Sequence, residues 1–194
     1  MRLLNVAVVG VGGQGVLTLG RMLGLALLEA GLDVTIAETH GLSQRGGSLI
    51  VHVRAGKGSA PLIPKGGAQV MLALEAIEAA RYADYLARGG EAFVNEYVQP
   101  PPLSRSPGLA EIARSLKSLE AEINFFNANE VSRAAAGSTL YSNAALLGYA
   151  IARSKHLGSV LSLEIVESAL SRGFSGRTLE LNIRALRAGA RGGL

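Results

Sequence analysis

At 194 residues the chain can build one sizeable hydrophobic core and is short for two, so length alone reads as a single domain covering residues 1–194. Hydrophobic residues make up 48% and charged residues 18%, apolar for a solitary soluble protein, which points to surface covered by a partner. The 19 basic residues behind the net charge of +4 are scattered, with few aromatics for base stacking, which argues against nucleic acid. Cysteine is absent, so this polypeptide can hold neither a disulfide nor a cysteine-ligated iron-sulfur cluster.

Val6, Val8 and Val9 lie in a short apolar run bounded by Gly10, the pattern of a strand buried on both faces. Gly10, Gly12 and Gly15 then fit the G-x-G-x-x-G spacing, in which backbone N–H groups approach an anionic ligand at the start of a helix. Gly12, Gly13, Gln14 and Gly15 are the candidate ligand-binding residues of this turn, and a purely structural strand-to-helix turn is the alternative. Gln14, at its tip, suits either a ligand or a facing chain. Val16, Leu19, Leu23, Ala26 and Leu27 recur at helical spacing, and Gly31 is a natural stop. Met1 to Gly15 superficially resembles a signal peptide, but Asn5, the glycines and the missing small-residue cleavage pattern read as a strand. No run of transmembrane length is free of polar residues, so the expectation is a cytoplasmic protein with no membrane partner.

Asp33 to Glu38 reads as a second strand, completing a strand, helix and strand unit of the length a right-handed parallel crossover needs. In a dinucleotide-binding fold an acid at this distance holds the ribose hydroxyls, a role that could be assigned to Glu38, but its context argues against it. Glu38 also opens a polar, glycine-rich stretch through Gly47, predicted to be a loop at the carboxyl end of a strand, where open α/β sheets place ligands. Its candidate residues are Glu38, His40, Ser43, Gln44, Arg45 and Gly46. Arg45 beside Gly46-Gly47 offers a planar five-donor cation suited to a phosphate or carboxylate; a stiffening pair with Glu38 is the alternative. His40 titrates near neutrality and serves either as a proton donor and acceptor or as a hydrogen-bonding loop residue. Three scattered histidines, with His52 and His156 read as structural, make no zinc site, and no metal ligands are assigned to this chain.

From Ser48 to Arg54, Leu49, Val51 and Val53 alternate with Ser48, Ile50, His52 and Arg54, a strand with one wetter face, antiparallel and towards one edge of a mixed sheet. Gly56 to Gly67 is a loop, Val70 to Leu74 a strand, and Glu75 begins a helix through Leu86 that Gly89-Gly90 stops. Glu91 to Asn95 is a strand, the proline-rich Val98 to Gly108 an exposed extended excursion, Ala110 to Leu119 a helix, and Ile123 to Asn127 a strand followed by a helix capped by Asn129. Beyond Thr139 the periodicities are helical, over Leu140 to Ile151, Leu163 to Leu170 and Thr178 to Leu186, and Arg187 to Leu194 read as frayed. Together these predict a three-layer, Rossmann-like α/β fold with a mostly parallel, mixed sheet and a helical C-terminal third.

Gly-Val-Gly-Gly-Gln-Gly-Val after the first strand, with Glu-Thr-His-Gly-Leu-Ser-Gln-Arg-Gly-Gly and His52-Val53-Arg54, resembles the gamma-type subunits of 2-oxoacid:ferredoxin oxidoreductases, and among them the small (beta) subunits of the indolepyruvate branch. The likeness runs the whole chain through Leu72-Ala73-Leu74-Glu75, Arg81, Asn143, Leu147-Gly148, Asn182, Ala185 and Gly189; Gln69 and Ala76 depart from it. It implies a complex whose larger subunit carries thiamine diphosphate, magnesium and iron-sulfur clusters. That complex oxidatively decarboxylates an aryl pyruvate with coenzyme A, giving an aryl-acetyl-CoA and reduced ferredoxin. This chain holds none of those cofactors alone. It would wall the active-site region, contact coenzyme A and dock the partner, with no complete catalytic constellation of its own. Two rivals stand beside it: a stand-alone NAD(P)-binding oxidoreductase using Gly10 to Gly15 and Glu38, and a non-catalytic assembly scaffold. The first lacks a hydride-transfer signature, since no tyrosine has a lysine four residues on.

Overall fold

The computed structural model describes residues 3–40, 46–57, 60–100 and 105–193. Strand β1 (Leu4–Val11) is buried along its whole length and runs through the middle of the sheet. Helix α1 (Val16–Glu29) follows, then β2 (Val34–His40), β3 (Ser48–Ala55) and β4 (Ala68–Ala73). Helix α2 (Ala76–Arg81), β5 (Leu86–Asn95), α3 (Leu109–Lys117) and β6 (Glu122–Phe126) complete the sheet half. The chain ends in α4 (Ala128–Ala136), α5 (Ser142–Arg153), the single turn α6 (Lys155–Gly158), α7 (Leu163–Gly173) and α8 (Gly176–Ala190).

The strands are ordered β2-β3-β1-β4-β5-β6. β1, β4, β5 and β6 are mutually parallel, and β3 runs against both β1 and β2. The predicted mixed, mostly parallel sheet is therefore present, but β1 and β2 are not neighbours. β3 lies between them, so the crossover from β1 through α1 spans an antiparallel strand, and the edge belongs to β2 rather than to β3. Pairing between residues far apart in sequence leaves no trace in local periodicity, which is why the short connection to β2 gave the antiparallel direction of β3, and its place towards one edge, but not its insertion between β2 and β1.

One layer holds α1, α4, α5, α7 and α8 against side chains such as Val6, Val8, Val51 and Leu72; the other holds α2 and α3 against Ala7, Val9, Ile50 and Met71. Strands buried on both faces read as continuous apolar runs, as β1 and β4 do. The second face of β3, expected to be wetter, is also buried, because the stretch around Ala60 to Ile63 folds over it. The Arg54 guanidinium donates to the carbonyls of Ala60 and Leu62 and, at 2.9 Å, to Asn5 Oδ1, while His52 Nδ1 accepts from the Ile63 N–H at 3.3 Å. Burial, with Arg54 adding, holds the His52 imidazole below its ordinary pKa, so it stays neutral and free to accept.

Three further expectations are corrected. The helix after Glu75 ends at Arg81, and Gly89-Gly90 lie inside β5, where Ala68 pairs with Leu86 and Val70 already with Glu91; the glycines absorb a bulge instead of ending a helix. Asn127, not Asn129, caps α4, its Oδ1 accepting from the Glu130 N–H at 3.0 Å. The C-terminus is not frayed from Arg187: α8 runs to Ala190, and Arg187 holds Glu167 on α7 through two hydrogen bonds of 2.6 and 2.7 Å.

α5 and α8 cross backbone to backbone. A Cβ on Gly148 would run into the Leu186 carbonyl, and one on Gly189 into the Ala145 carbonyl. The bare glycines give the two helices this approach, and with it α5 places its own N-terminus behind the first glycine turn.

Candidate functional site

The chain leaves β1 towards β2 and β3 on one side and places β4, β5 and β6 on the other. α1 covers one face of the sheet and α2 the opposite one, so the chain segments leaving the carboxyl ends of β1 and β4 diverge. Such a divergence opens a crevice in which α/β proteins bind ligands. A cleft of about 320 Å³ lies there, with Gln14, Leu74, Asn95, Gln99, Asn129 and Arg133 in its walls. A larger concavity of about 450 Å³, around Leu4, Arg88 and His156, sits at the amino end of β1 and contains none of the sequence-predicted residues. Position at the switch of strand order, not size, selects the first.

The glycine turn forms one rim. Gly15 has φ +84 and caps α1 without any side-chain acceptor, no acidic residue occupies the first helical turn, and a Cβ on Gly15 would sit 2.9 Å from Asn143 Nδ2 on α5. A helix start left this way offers N–H groups and a positive dipole end to an anion. Gln14 does not reach out freely. Its Oε1 accepts from the Val11 N–H at 2.9 Å and its Nε2 donates to Gln99 Oε1 at 3.0 Å, so it is tied to its own turn and to the segment after β5.

The second glycine-rich stretch meets the first directly. The Gly12 N–H donates to the Gly47 carbonyl at 2.8 Å, and the Gly46 N–H to the Gly12 carbonyl at 3.2 Å. This extends the β1 and β3 pairing beyond Val11 and Ser48. Next along, the Ser48 hydroxyl donates to the buried Glu78 carboxylate and lies 2.9 Å from the Tyr82 hydroxyl. Glu38 lies in β2, as predicted, opposite Val51 of β3, and the strand runs on to His40, which pairs with Leu49 instead of lying in a loop. Ser43, Gln44 and Arg45 lie outside the described residues, as does the side chain of His40, so the pairing considered between Arg45 and Glu38 does too.

The insertion of β3 decides against Glu38 as a ribose ligand. In a dinucleotide fold that acid ends the strand next to the glycine turn, whereas here β2 is two strand spacings away, about 10 Å.

The floor and far wall come from residues that the sequence did not single out as a site. Asn95 is 1% exposed and fully engaged: Nδ2 donates to the Leu74 carbonyl and to Asn129 Oδ1, both at 3.1 Å, and Oδ1 accepts from the Ala128 N–H at 2.9 Å. Glu75 is buried and caps α2, one oxygen accepting from the Glu78 N–H at 2.7 Å and the other from the Gln99 N–H at 2.9 Å. Burial pushes its carboxyl above the usual range, with Glu78 adding, against the pull of those N–H donors. Arg133 is exposed; among the described residues it is the one charged group in the cleft lining, and its guanidinium has no hydrogen-bond or ion-pair partner there. A clue was present in Asn95, Asn127 and Asn129, polar residues clustered where a strand ends and a helix begins.

The sequence profile of the pyruvate ferredoxin/flavodoxin oxidoreductase family matches residues 5–192. The chain belongs to this family. It is 40% identical over 191 residues to the indolepyruvate oxidoreductase subunit IorB of Archaeoglobus fulgidus, covering 96% of this chain and 93% of that one. Among solved structures it shares its fold with the pyruvate oxidoreductase subunit PORC of Thermotoga maritima, with a TM-score of 0.76, 20% identity and coverage of 99% and 97%. It also matches a 2-oxoglutarate:ferredoxin oxidoreductase from Magnetococcus marinus, determined with 2-oxoglutarate, coenzyme A and succinyl-CoA bound. There the TM-score is 0.71 at 19% identity, over 98% of this chain and 31% of that longer one. Membership in the pyruvate ferredoxin/flavodoxin oxidoreductase family makes the chain a subunit of an oxidoreductase, and neither the stand-alone NAD(P) enzyme nor the inert scaffold is favoured.

Proposed function

We propose that this chain is the small, cluster-free subunit of a cytoplasmic oxidoreductase acting on indolepyruvate or a related aryl pyruvate. The complex oxidatively decarboxylates the 2-oxoacid onto coenzyme A, giving aryl-acetyl-CoA and carbon dioxide and passing the electrons to ferredoxin. The likeness to IorB subunits over almost the full chain supports the substrate class. The donor set here does not fit the redox cofactors. The sequence has no cysteine for an iron-sulfur cluster, and the described residues contain no group of three histidine or acidic side chains that would hold magnesium against a diphosphate. In this reading thiamine diphosphate, magnesium and the clusters are assigned to the larger subunit, and no step of their chemistry is routed through this chain.

What this chain contributes is a rim and a binding wall. The carrying observation is the backbone suture of Gly12 to Gly46 and Gly47 beside a cleft in which Arg133 is the one charged residue among the described lining. Coenzyme A carries anionic phosphates and a long polar arm. Arg133, the uncapped start of α1, and Gln99 supply a cation, N–H donors and a neutral hydrogen-bonding group for it. The same reading assigns Glu38, His40, Ser43, Gln44, Arg45 and Gly46 to contacts with the larger subunit or the coenzyme.

The test is purification of the chain from its native source followed by assay. A larger, cysteine-rich chain should copurify, and the complex should reduce ferredoxin with indolepyruvate only when coenzyme A is present. Replacing Arg45→Ala should raise the Michaelis constant for coenzyme A or loosen the complex. Purification as a single chain that oxidises a substrate with NAD(P) would overturn the assignment.

A further inference from the structure

Arg133 is a long side chain at the last turn of a nine-residue helix, and a helix that short has little stability of its own. Its place must be imposed from outside. Apolar contacts through Ala128 and Val131 seat α4 against α5 and α8, and such contacts are non-directional; its directional bonds are that of the Ser132 hydroxyl to the Ser138 carbonyl towards its C-terminal end and those made by Asn95 at its first turn. Asn129 and Arg133 are four residues apart and so share a face, and both line the cleft. A roll by one residue, about 100°, would carry both off it.

We infer that Asn95 is the positioning residue that stops this roll and so holds Arg133 at the cleft. It acts through the first turn of α4, and the inference rests on the reading of the cleft as the coenzyme A site. Asn95 is buried at the end of β5, and its side chain makes three hydrogen bonds to three residues, one following β4 and two in α4. One donor goes to the Leu74 carbonyl at the end of β4, which fixes the amide against the sheet. The other donor and the acceptor go to Asn129 Oδ1 and the Ala128 N–H, which grip α4 at two points about its axis. Asn127 caps the same helix from within, so the grip of Asn95 is not needed to start α4. It is needed to orient it. Arg133 itself has no anchoring partner among the described residues, so the backbone of α4 alone sets where the guanidinium is offered.

The experiment is calorimetric titration of the purified two-subunit complex with coenzyme A, with the melting temperature recorded for each variant. Arg133→Ala should weaken binding by about tenfold or more, the loss of a charge-assisted contact. Asn95→Ala and Asn129→Ala should each weaken it by a smaller factor, about three- to tenfold. In the Arg133→Ala background neither should weaken it further, because each acts only by placing that guanidinium. A full additional loss in that background would overturn the inference, since it would mean a direct or merely structural contribution. Should Asn95→Ala fail to assemble, Asn129→Ala, which removes one acceptor at the helix surface, decides alone. If Arg133→Ala binds coenzyme A normally, it is the coenzyme reading of the cleft that fails.

Discussion

The Gly12 N–H donates to the Gly47 carbonyl at 2.8 Å while the Gly46 N–H donates to the Gly12 carbonyl, so two turns 34 residues apart form one rim. Gly46 stands at φ +73, where a β-branched residue costs about 1–2 kcal/mol. Gly46→Val should therefore part the two turns. Affinity of the larger subunit, measured by surface plasmon resonance, should fall about tenfold, with the melting temperature lowered by only about 2–8 °C. Unchanged affinity would remove the sutured rim from the interface.

Glu75 predicts a pH effect with a definite sign. Its carboxyl sits above the ordinary value of 4.5, so the native state binds that proton more tightly than the unfolded state does. The resulting stabilisation is fully present below 4.5 and is lost as pH rises through the native value. Glu75→Gln lacks this dependence. Its melting temperature minus that of the wild type should climb as pH increases across the window, above a constant loss from the missing acceptor. A difference that falls with rising pH would contradict the raised carboxyl.

Gly148 and Gly189 carry the helix crossing behind the site. Either glycine changed to alanine drives a methyl group into a facing carbonyl, which cannot move as a side chain can. Each change should cost about 3 kcal/mol or more, a drop in melting temperature of about 6–12 °C. Differential scanning calorimetry reads this directly, and a loss under 2 °C would show that α5 and α8 can separate freely.

A fourth expectation concerns NADH. With β3 between β1 and β2, Glu38 cannot reach a ribose held at the glycine turn. Fluorescence titration of the chain with NADH should show no binding tighter than about 1 mM, a weak association of about −4 kcal/mol. Micromolar binding would restore the dinucleotide reading.

The elements that the sequence revealed are those whose signal is local. Val6 to Val9, the helix from Val16 and the strand ending at Leu74 stand out because burial on both faces, or on one stripe, writes a period into neighbouring residues. The glycine turn was legible for the same reason. The place of β3 was not, because strand order depends on partners such as Val6 and Val53, 47 residues apart. Gly89-Gly90 looked like a helix stop since a bulge and a stop ask for the same residue. Arg54 looked solvated because the stretch that buries it is glycine- and proline-rich loop without periodicity. The cleft was hidden most completely: Gln14, Asn95, Gln99 and Arg133 come from four separate segments and become a site only when the sheet assembles.

Hydrogen exchange, followed by mass spectrometry on the chain alone and in complex with its larger subunit, tests the central claim most directly. Slowed exchange on assembly is expected at residues 10–15 and 38–47, and around Tyr97 to Gln99. Protection confined to residues 60–67, 86–90 and 156–160, at the other end of the sheet, would contradict it.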